Sequence, residues 1–434
     1  MEDPSAWRAA RARAWVRLLA VDRAPLKASA DYRRLWWAEL VSVAGSQITA
    51  FAVFFQVTTL TGSAAKVGLV GLIQFVMLAG TTIFAGPLID RLDRRKILLV
   101  TQTALVLTSF ALLGGALVDH PPLALVYAAA GASAGLTGIA LPTRGAIVPN
   151  LIPPQLLSSA IALNQVMWTS AIVVGPAIGG VVIGTAGLEW AYALDVASFT
   201  ATIYATLRLP AQRPRRDEGE PTMGIAAVRE AFTFLRGKRV LQSTFVVDLV
   251  AMIFGMPRAL FPILAIQQFH RGAEVAGALT SAIGVGALIG AATSGWVGRV
   301  RRQGLAVLIA VAAWGACVAL FGLSGWLPLA FVLLAAAGAA DVISAVFRGT
   351  ILQATVTDAV RGRLSALHIL VVGGGPRLGD LEAGLVAAAF SPTFSVVSGG
   401  LACIAGVFVV AAVYPEFARY VEPPPTDGEA IGSN

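Results

Sequence analysis

The sequence predicts an all-α polytopic membrane protein of twelve transmembrane helices in two six-helix halves. Three observations predict it. The 434 residues are 57% hydrophobic and only 13% charged, with a mean hydropathy of +0.77, which is too apolar for a soluble domain, where about a quarter of residues are charged. Apolar runs of about 20 residues, long enough to cross a bilayer core, recur along the chain. Finally, one half echoes the other. Arg144-Gly-Ala-Ile-Val through Ala162-Leu163 aligns without gaps on Arg348-Gly-Thr-Ile-Leu through Ala366-Leu367, at an offset of 204.

The apolar runs lie at 35–60, 67–89, 97–118, 123–142, 157–184, 190–208, 241–266, 275–298, 304–323, 327–347, 365–389 and 396–414. They are continuous and lack the alternation of a barrel strand, so helices are expected. Of the 32 Lys and Arg residues, Lys66 and Arg271 alone fall in the loops of one side, while Arg258 and Arg377 lie inside spans. All the others sit on the opposite side, which the positive-inside rule makes cytoplasmic, with both termini there. The net charge of +8 is therefore topology and not a nucleic-acid surface. The expected divisions are a basic segment 1–34, a bundle 35–209, a linker 210–240, a second bundle 241–415 and a tail 416–434. The first run is too long for a signal peptide and has no small-residue cleavage site after it, so it reads as the first span. In the basic segment, Trp7, Trp15 and Leu18 suit either an interfacial helix or a disordered tail. Trp36, Trp37, Trp190, Trp296 and Trp326 fall near span ends, where indole rings prefer the headgroup layer.

Several motifs stand out. Gly86-Pro-Leu-Ile-Asp90-Arg91-Leu-Asp93-Arg94-Arg95-Lys96 lies between helices 2 and 3. Its degenerate counterpart after helix 8 puts Arg299 in the acidic slot. Helix 5 carries Ala171-Ile-Val-Val-Gly175-Pro176-Ala-Ile-Gly179-Gly180, and a Gly-Pro pair recurs at Gly375-Pro376 in helix 11. Small residues at helical spacing permit close contact, and proline removes one backbone hydrogen bond, so this segment reads as packing or as a hinge. Ionisable residues inside spans cost about 2.5–3.5 kcal/mol at the centre, so each needs a reason. Asp248 on helix 7 and Asp341 on helix 10 are proton-coupling candidates, the latter sharing a face with Ser344 and Arg348; the alternative is a polar contact between helices. Arg377 and Asp380 are expected to neutralise each other at i, i+3, and Glu39 and Asp195 are expected to reach the interface. Gln47 and Phe51 on helix 1, Asn164, Gln165 and Trp168 on helix 5, and Arg258 on helix 7 are the substrate-cavity candidates. Amide and aromatic groups suit a large, partly apolar ligand, although such stripes also serve as plain packing.

Over almost its whole length the chain resembles the major facilitator superfamily, on the strength of the motif between helices 2 and 3 in a twelve-span context. Asp93 departs from the glycine usual at its position. The resemblance implies a conformational latch of Asp90 with Arg91, Arg94, Arg95 and Arg144, in which Asp90 lies beside the start of helix 11 near Arg363 and Leu364. The helix 5 segment resembles the exporters' antiporter motif, with Ala171 in place of its first glycine. Arg258 in Met-Pro-Arg-Ala-Leu-Phe-Pro, the Arg361-Gly362-Arg363 turn and Gly-Pro-Arg-Leu-Gly-Asp-Leu-Glu-Ala-Gly are similar to the enterobactin-exporter branch. The implied function is secondary active export of a siderophore, drug or secondary metabolite from the cell by proton antiport, in an inner membrane, by a monomer. Proton-coupled import or facilitated diffusion, and a transport-inactive sensor or scaffold, are the alternatives. No ATP-binding loop, nucleophile, metal-ligand cluster or cofactor motif is present, so an enzyme is not expected.

Overall fold

A computed structural model describes residues 22–213, 225–355 and 358–421. Twelve membrane-scale rods follow one another among them: α1 (Ala30–Thr61), α2 (Ala64–Arg91), α3 (Arg94–Ala116), α4 (Leu123–Leu151), α5 (Leu157–Ala186), α6 (Leu188–Leu207), a two-part α7 (Arg239–Phe254 and Phe261–Gln267), α8 (Ala273–Thr293), α9 (Gln303–Leu323), α10 (Leu327–Thr355), α11 (Asp358–Ala389) and α12 (Pro392–Val413). Ten are long and apolar enough to cross a membrane; α6 and α11 carry more polar residues and pack within the same bundles.

Local sequence sets the ends. Ser29 and Ser391 accept backbone N–H groups at the starts of α1 and α12, satisfying orphan donors of the first turn. The first rod stops at Gly62, whose φ of 59° is open to glycine at no steric cost. Asp93, where the resemblance suggested a glycine turn, is instead the N-cap of α3. Its carboxylate accepts the Arg95 N–H at 3.0 Å and the Gln212 N–H at 2.9 Å, tying the chain after α6 to this turn.

The seventh apolar run differs from its expectation as one continuous helix. It breaks at Gly255-Met256-Pro257, and a 3-10 turn Arg258–Leu260 leads into the second part. Proline ends the hydrogen-bond ladder, and in lipid the freed groups must find partners. The Trp314 indole donates to the Gly255 carbonyl at 2.8 Å, and the Asp380 carboxylate accepts the Ala259 N–H at 3.2 Å. Conversely, α4 and α10 run beyond their predicted ends, so Arg144 and Arg348 lie inside helices. Hydropathy marks where the lipid ends, whereas the helix continues past it.

Helices α1–α6 pack as one bundle and α7–α12 as a second, joined along two seams, α2 on α11 and α5 on α8. The end bearing Ala30 and Val413 is called the terminal end below, and the other the far end. Both seams close tightly at the far end on glycine. A Cβ on Gly68 would lie 3.0 Å from the Gly384 Cα, and one on Gly277 would lie 2.9 Å from the Gly180 Cα. At the terminal end, Gly145 and Gly349, which the repeat makes equivalent, have nothing within 4 Å of a would-be Cβ.

Candidate functional site

Two buried charge clusters occupy corresponding places in the two bundles. On α1, Glu39 is 6% exposed, and the Arg144 guanidinium of α4 meets it at 3.3 Å. On α7, Asp248 is 4% exposed and pairs with Arg348 of α10, which also lies 3.9 Å from Asp341. The repeat superposes Arg144 on Arg348, so each half binds the first helix of its bundle to the fourth through one arginine. Sequence reasoning found the second cluster's members but dismissed Glu39, which is buried and does not reach the interface. The signal was available: an acid on the first helix of each half and an arginine at one offset.

The motif between α2 and α3 lies at the terminal end beside a cavity of about 1030 Å³ lined by Asp90, Arg91, Asp93, Lys96 and Arg213. Arg94 donates to the Ala146 carbonyl at 3.0 Å, and Arg95 donates to the Thr206 and Leu207 carbonyls at 3.2 and 2.7 Å. Arg95 thus caps the C-terminus of α6, where the helix dipole favours a cation. Among the described residues Asp90 has no ion-pair partner; Arg144 is engaged by Glu39. The side chains of Arg363 and Leu364 lie outside the described residues, as do Trp7, Trp15 and Leu18.

In α5, the motif packs on two neighbours and the helix runs through Pro176 unbroken. Gly175 lets α5 approach α1, since a Cβ there would lie 2.4 Å from the Gln47 Cβ, whereas Gly180 faces α8, 2.5 Å from the Ala273 carbonyl oxygen by the same measure. The motif therefore holds a contact within the bundle and a seam between bundles.

The cavity candidates separate into three groups. Toward the terminal end, the Tyr32 hydroxyl donates to the Asn164 amide oxygen at 3.1 Å, and Trp168 packs beside Tyr32 and Met167. Trp36 joins this cluster at 8% exposure, so it is a core residue and not an interfacial anchor. Gln165 is exposed on the same helix, 3.4 Å from the Thr169 hydroxyl. Phe51 is buried toward the far end with Ala265 and Ala276 of the other bundle. Arg258 stands at the α7 break, donating to Asp380 at 2.9 Å. Arg377, expected to pair with Asp380, donates instead to the Gly373 carbonyl one turn back. Asp380 is fully buried and spends both oxygens on the broken helix, which the i, i+3 rule could not foresee.

A family model described as transmembrane secretion effector matches residues 21–419. The chain belongs to that family, a branch of the major facilitator superfamily. It is 28% identical over 413 residues to the enterobactin exporter EntS of Citrobacter koseri, covering 94% of this chain and 97% of the relative. The enterobactin exporter EntS of an Escherichia coli O157:H7 strain is 28% identical over 407 residues, covering 92% and 95%. Among solved structures, the nucleoside transporter NupG matches with a TM-score of 0.67 at 14% identity, covering 90% of this chain and 99% of that one. A POT family transporter in complex with 5-aminolevulinic acid matches at 0.72 and 10% identity, covering 90% and 97%. These likenesses establish the fold.

Proposed function

We propose that this protein exports a large, partly aromatic small molecule of the siderophore, drug or secondary-metabolite class, by alternating access and in exchange for protons, with both termini in the cytoplasm. Near-complete coverage of enterobactin exporters supports the direction and the substrate class, and the Lys and Arg asymmetry supports the orientation. The observation that carries proton coupling is the cluster of Asp248, Arg348 and Asp341, in which a single guanidinium faces two carboxylates. One arginine balances one of them, and a proton on Asp341, the more distant acid, balances the other. The two acids share one cation, so a change in the geometry of α7 against α10 changes how firmly a proton on Asp341 is held. Asn164, Gln165, Trp168 and Gln47 supply amide and aromatic groups along α1 and α5 for the substrate. Asp90 with Arg91 acts as the terminal-end latch in the oppositely open state, while Arg94, Arg95 and Arg144 hold the helices that the latch engages.

The test is the pH inside energised inside-out vesicles when catechol-bearing siderophores are added, comparing the intact chain with Asp248→Asn and Asp341→Asn. Export by antiport predicts a substrate-triggered proton leak that Asp341→Asn abolishes. Substrate flux that ignores the gradient would replace antiport by facilitated diffusion, and absence of any flux would favour a sensor or scaffold.

A further inference from the structure

Glu39, Asp248 and Asp380 are buried acids with an arginine in ion-pair range. Asp195, in the middle of α6 and only 2% exposed, has no basic partner within 4.0 Å among the described residues. Its surroundings are hydroxyls from two neighbouring helices and its own. Thr49 of α1 and Ser109 of α3 each lie 2.8 Å from Oδ2, and Ser198 of α6 lies 3.5 Å from Oδ1.

From this geometry we infer that Asp195 is a proton-binding site inside the amino-terminal bundle, separate from the seams between bundles. The inference does not depend on the direction or substrate of transport.

The hydroxyl protons explain why. A hydroxyl has one proton and spare lone pairs. Ser198 lies 2.7 Å from the Asp195 backbone carbonyl and Ser109 lies 3.2 Å from the Leu105 carbonyl. When those hydroxyls donate to the carbonyls, their lone pairs face the carboxyl group and can accept its proton. When they turn to the carboxylate, they donate to it. The cluster can therefore satisfy either protonation state by rotating hydroxyls, without moving a helix by more than a hydrogen bond's slack. A buried acid with no cation in this apolar setting needs polar partners, and the surrounding hydroxyls supply them in both states.

A metal cation fits poorly. The 2.8 Å contacts are hydrogen-bond lengths, and the α1 backbone closes over the cluster at Gly45. A Cβ there would lie 2.4 Å from the Ser198 Oγ and 2.9 Å from Oδ1 of Asp195.

Among the other ionisable groups on the packed helices, Tyr192 lies about one turn from Asp195 on α6 and the rest stand away. Asp31, Arg33, Arg34 and Glu39 on α1, Tyr32 with them, are ten or more residues from Thr49, about 15 Å along the axis. On α3, Arg94, Arg95 and Lys96 lie at the terminal end, and α5 carries no ionisable side chain. On α6 itself, Tyr192 donates to Gln56 at 2.7 Å, Glu189 begins the helix, and Tyr204 and Arg208 end it. The link to the rest of the molecule is α1. Gly45 and Thr49 face Asp195, while Gln47, on the opposite face, meets Gly175 of α5.

Infrared difference spectroscopy of the full chain in lipid vesicles, titrated with acid and base, tests the site. The expected result is a carboxylic C=O band that disappears on alkalinisation, is absent in Asp195→Asn and is displaced in frequency in Ser109→Ala, while sodium at constant pH leaves it unchanged. A spectrum in which Asp195→Asn removes no such band, in which Ser109→Ala displaces none, or in which sodium abolishes the band, would overturn the proposal. Because no flux is measured, failure here is distinct from failure of the exporter reading.

Discussion

The far-end seam between α5 and α8 rests on two backbones in contact, and Gly277→Ala tests whether that contact governs the equilibrium between open ends. A methyl at position 277 would lie 2.2 Å from the Pro176 carbonyl oxygen and 2.9 Å from the Gly180 Cα. Ordinary contact begins at 3.4 Å, so the helices must part by about 1.2 Å, and neither neighbour is a side chain that could swing away. Overpacking of this kind costs about 1–3 kcal/mol, charged only to the state in which the far end is sealed. The ratio of sealed to unsealed molecules should then fall by a factor of about 5 to 150. The assay is labelling of Val275→Cys by a membrane-impermeant thiol reagent, in a background where Cys317 and Cys403, both free thiols, are replaced by Ser and Ala. Val275 is half-buried against Phe51 at the seam and becomes reachable when the far end opens. Gly145→Ala, whose methyl meets nothing within 4 Å, serves as the control. If Gly277→Ala folds normally and labels at the control rate, the glycine contacts are filler and do not set the equilibrium.

Three further outcomes follow from the same contacts. Arg348→Ala leaves Asp248 and Asp341 without their cation and should lower stability by about 3–5 kcal/mol, seen in thermal unfolding in detergent; adding Asp248→Asn should recover part of the loss, and no recovery would mean that Arg348 acts by packing. Asp93→Gly restores the residue suggested by the family resemblance and should cost the α3 cap only a few tenths of a kcal/mol, yet it removes the acceptor of both the Arg95 N–H at 3.0 Å and the Gln212 N–H at 2.9 Å, so amide exchange should quicken at both; unchanged exchange at Gln212 would mean that Asp93 does not tie down the chain after α6. Asp22, exposed before α1, has its carboxyl held below the usual carboxylate range by the Ala24 N–H and then by the Ser159 hydroxyl, with Lys27 adding attraction. Its contribution is present above the ordinary carboxylate pKa and is lost as pH falls through the depressed value, so the protection of the Ala24 amide, its exchange rate relative to an unstructured amide at the same pH, should fall in acid and hold in alkali.

How much of this was legible in the sequence depends on which force set each feature. The apolar runs follow from burial in lipid, a strong one-dimensional signal, and the expectation of two halves from the repeat. The break in α7 was visible as Gly255 and Pro257 but was read through, because apolar length outvoted two residues whose backbone partners, Trp314 and Asp380, are distant in sequence. Likewise Arg377 and Asp380 satisfy a local spacing rule, yet Arg258, more than a hundred residues away, wins Asp380 because the broken helix must be capped there. Local periodicity finds neighbours on one helix and is silent about what a neighbouring helix brings.

The repeat is the one sequence signal that carries three-dimensional information between distant helices, and its imperfection is as informative as its match. Arg144 and Arg348 correspond, and each meets an acid on the first helix of its half, so these pairs follow the architecture both halves share. Carried back along the same helix, the offset places Asp341 opposite Thr137. Among the described residues Thr137 bonds its own helix, at the Ser133 carbonyl, whereas Asp341 adds a second carboxylate beside Arg348. Common ancestry of the halves explains the balanced pair; it does not explain the extra acid, which costs energy in lipid and gives no added cohesion that Asp248 does not already provide. A residue that departs from its own repeat at an energetic cost is where function should be sought, and that places the proton-coupling reading on Asp341 ahead of Asp248.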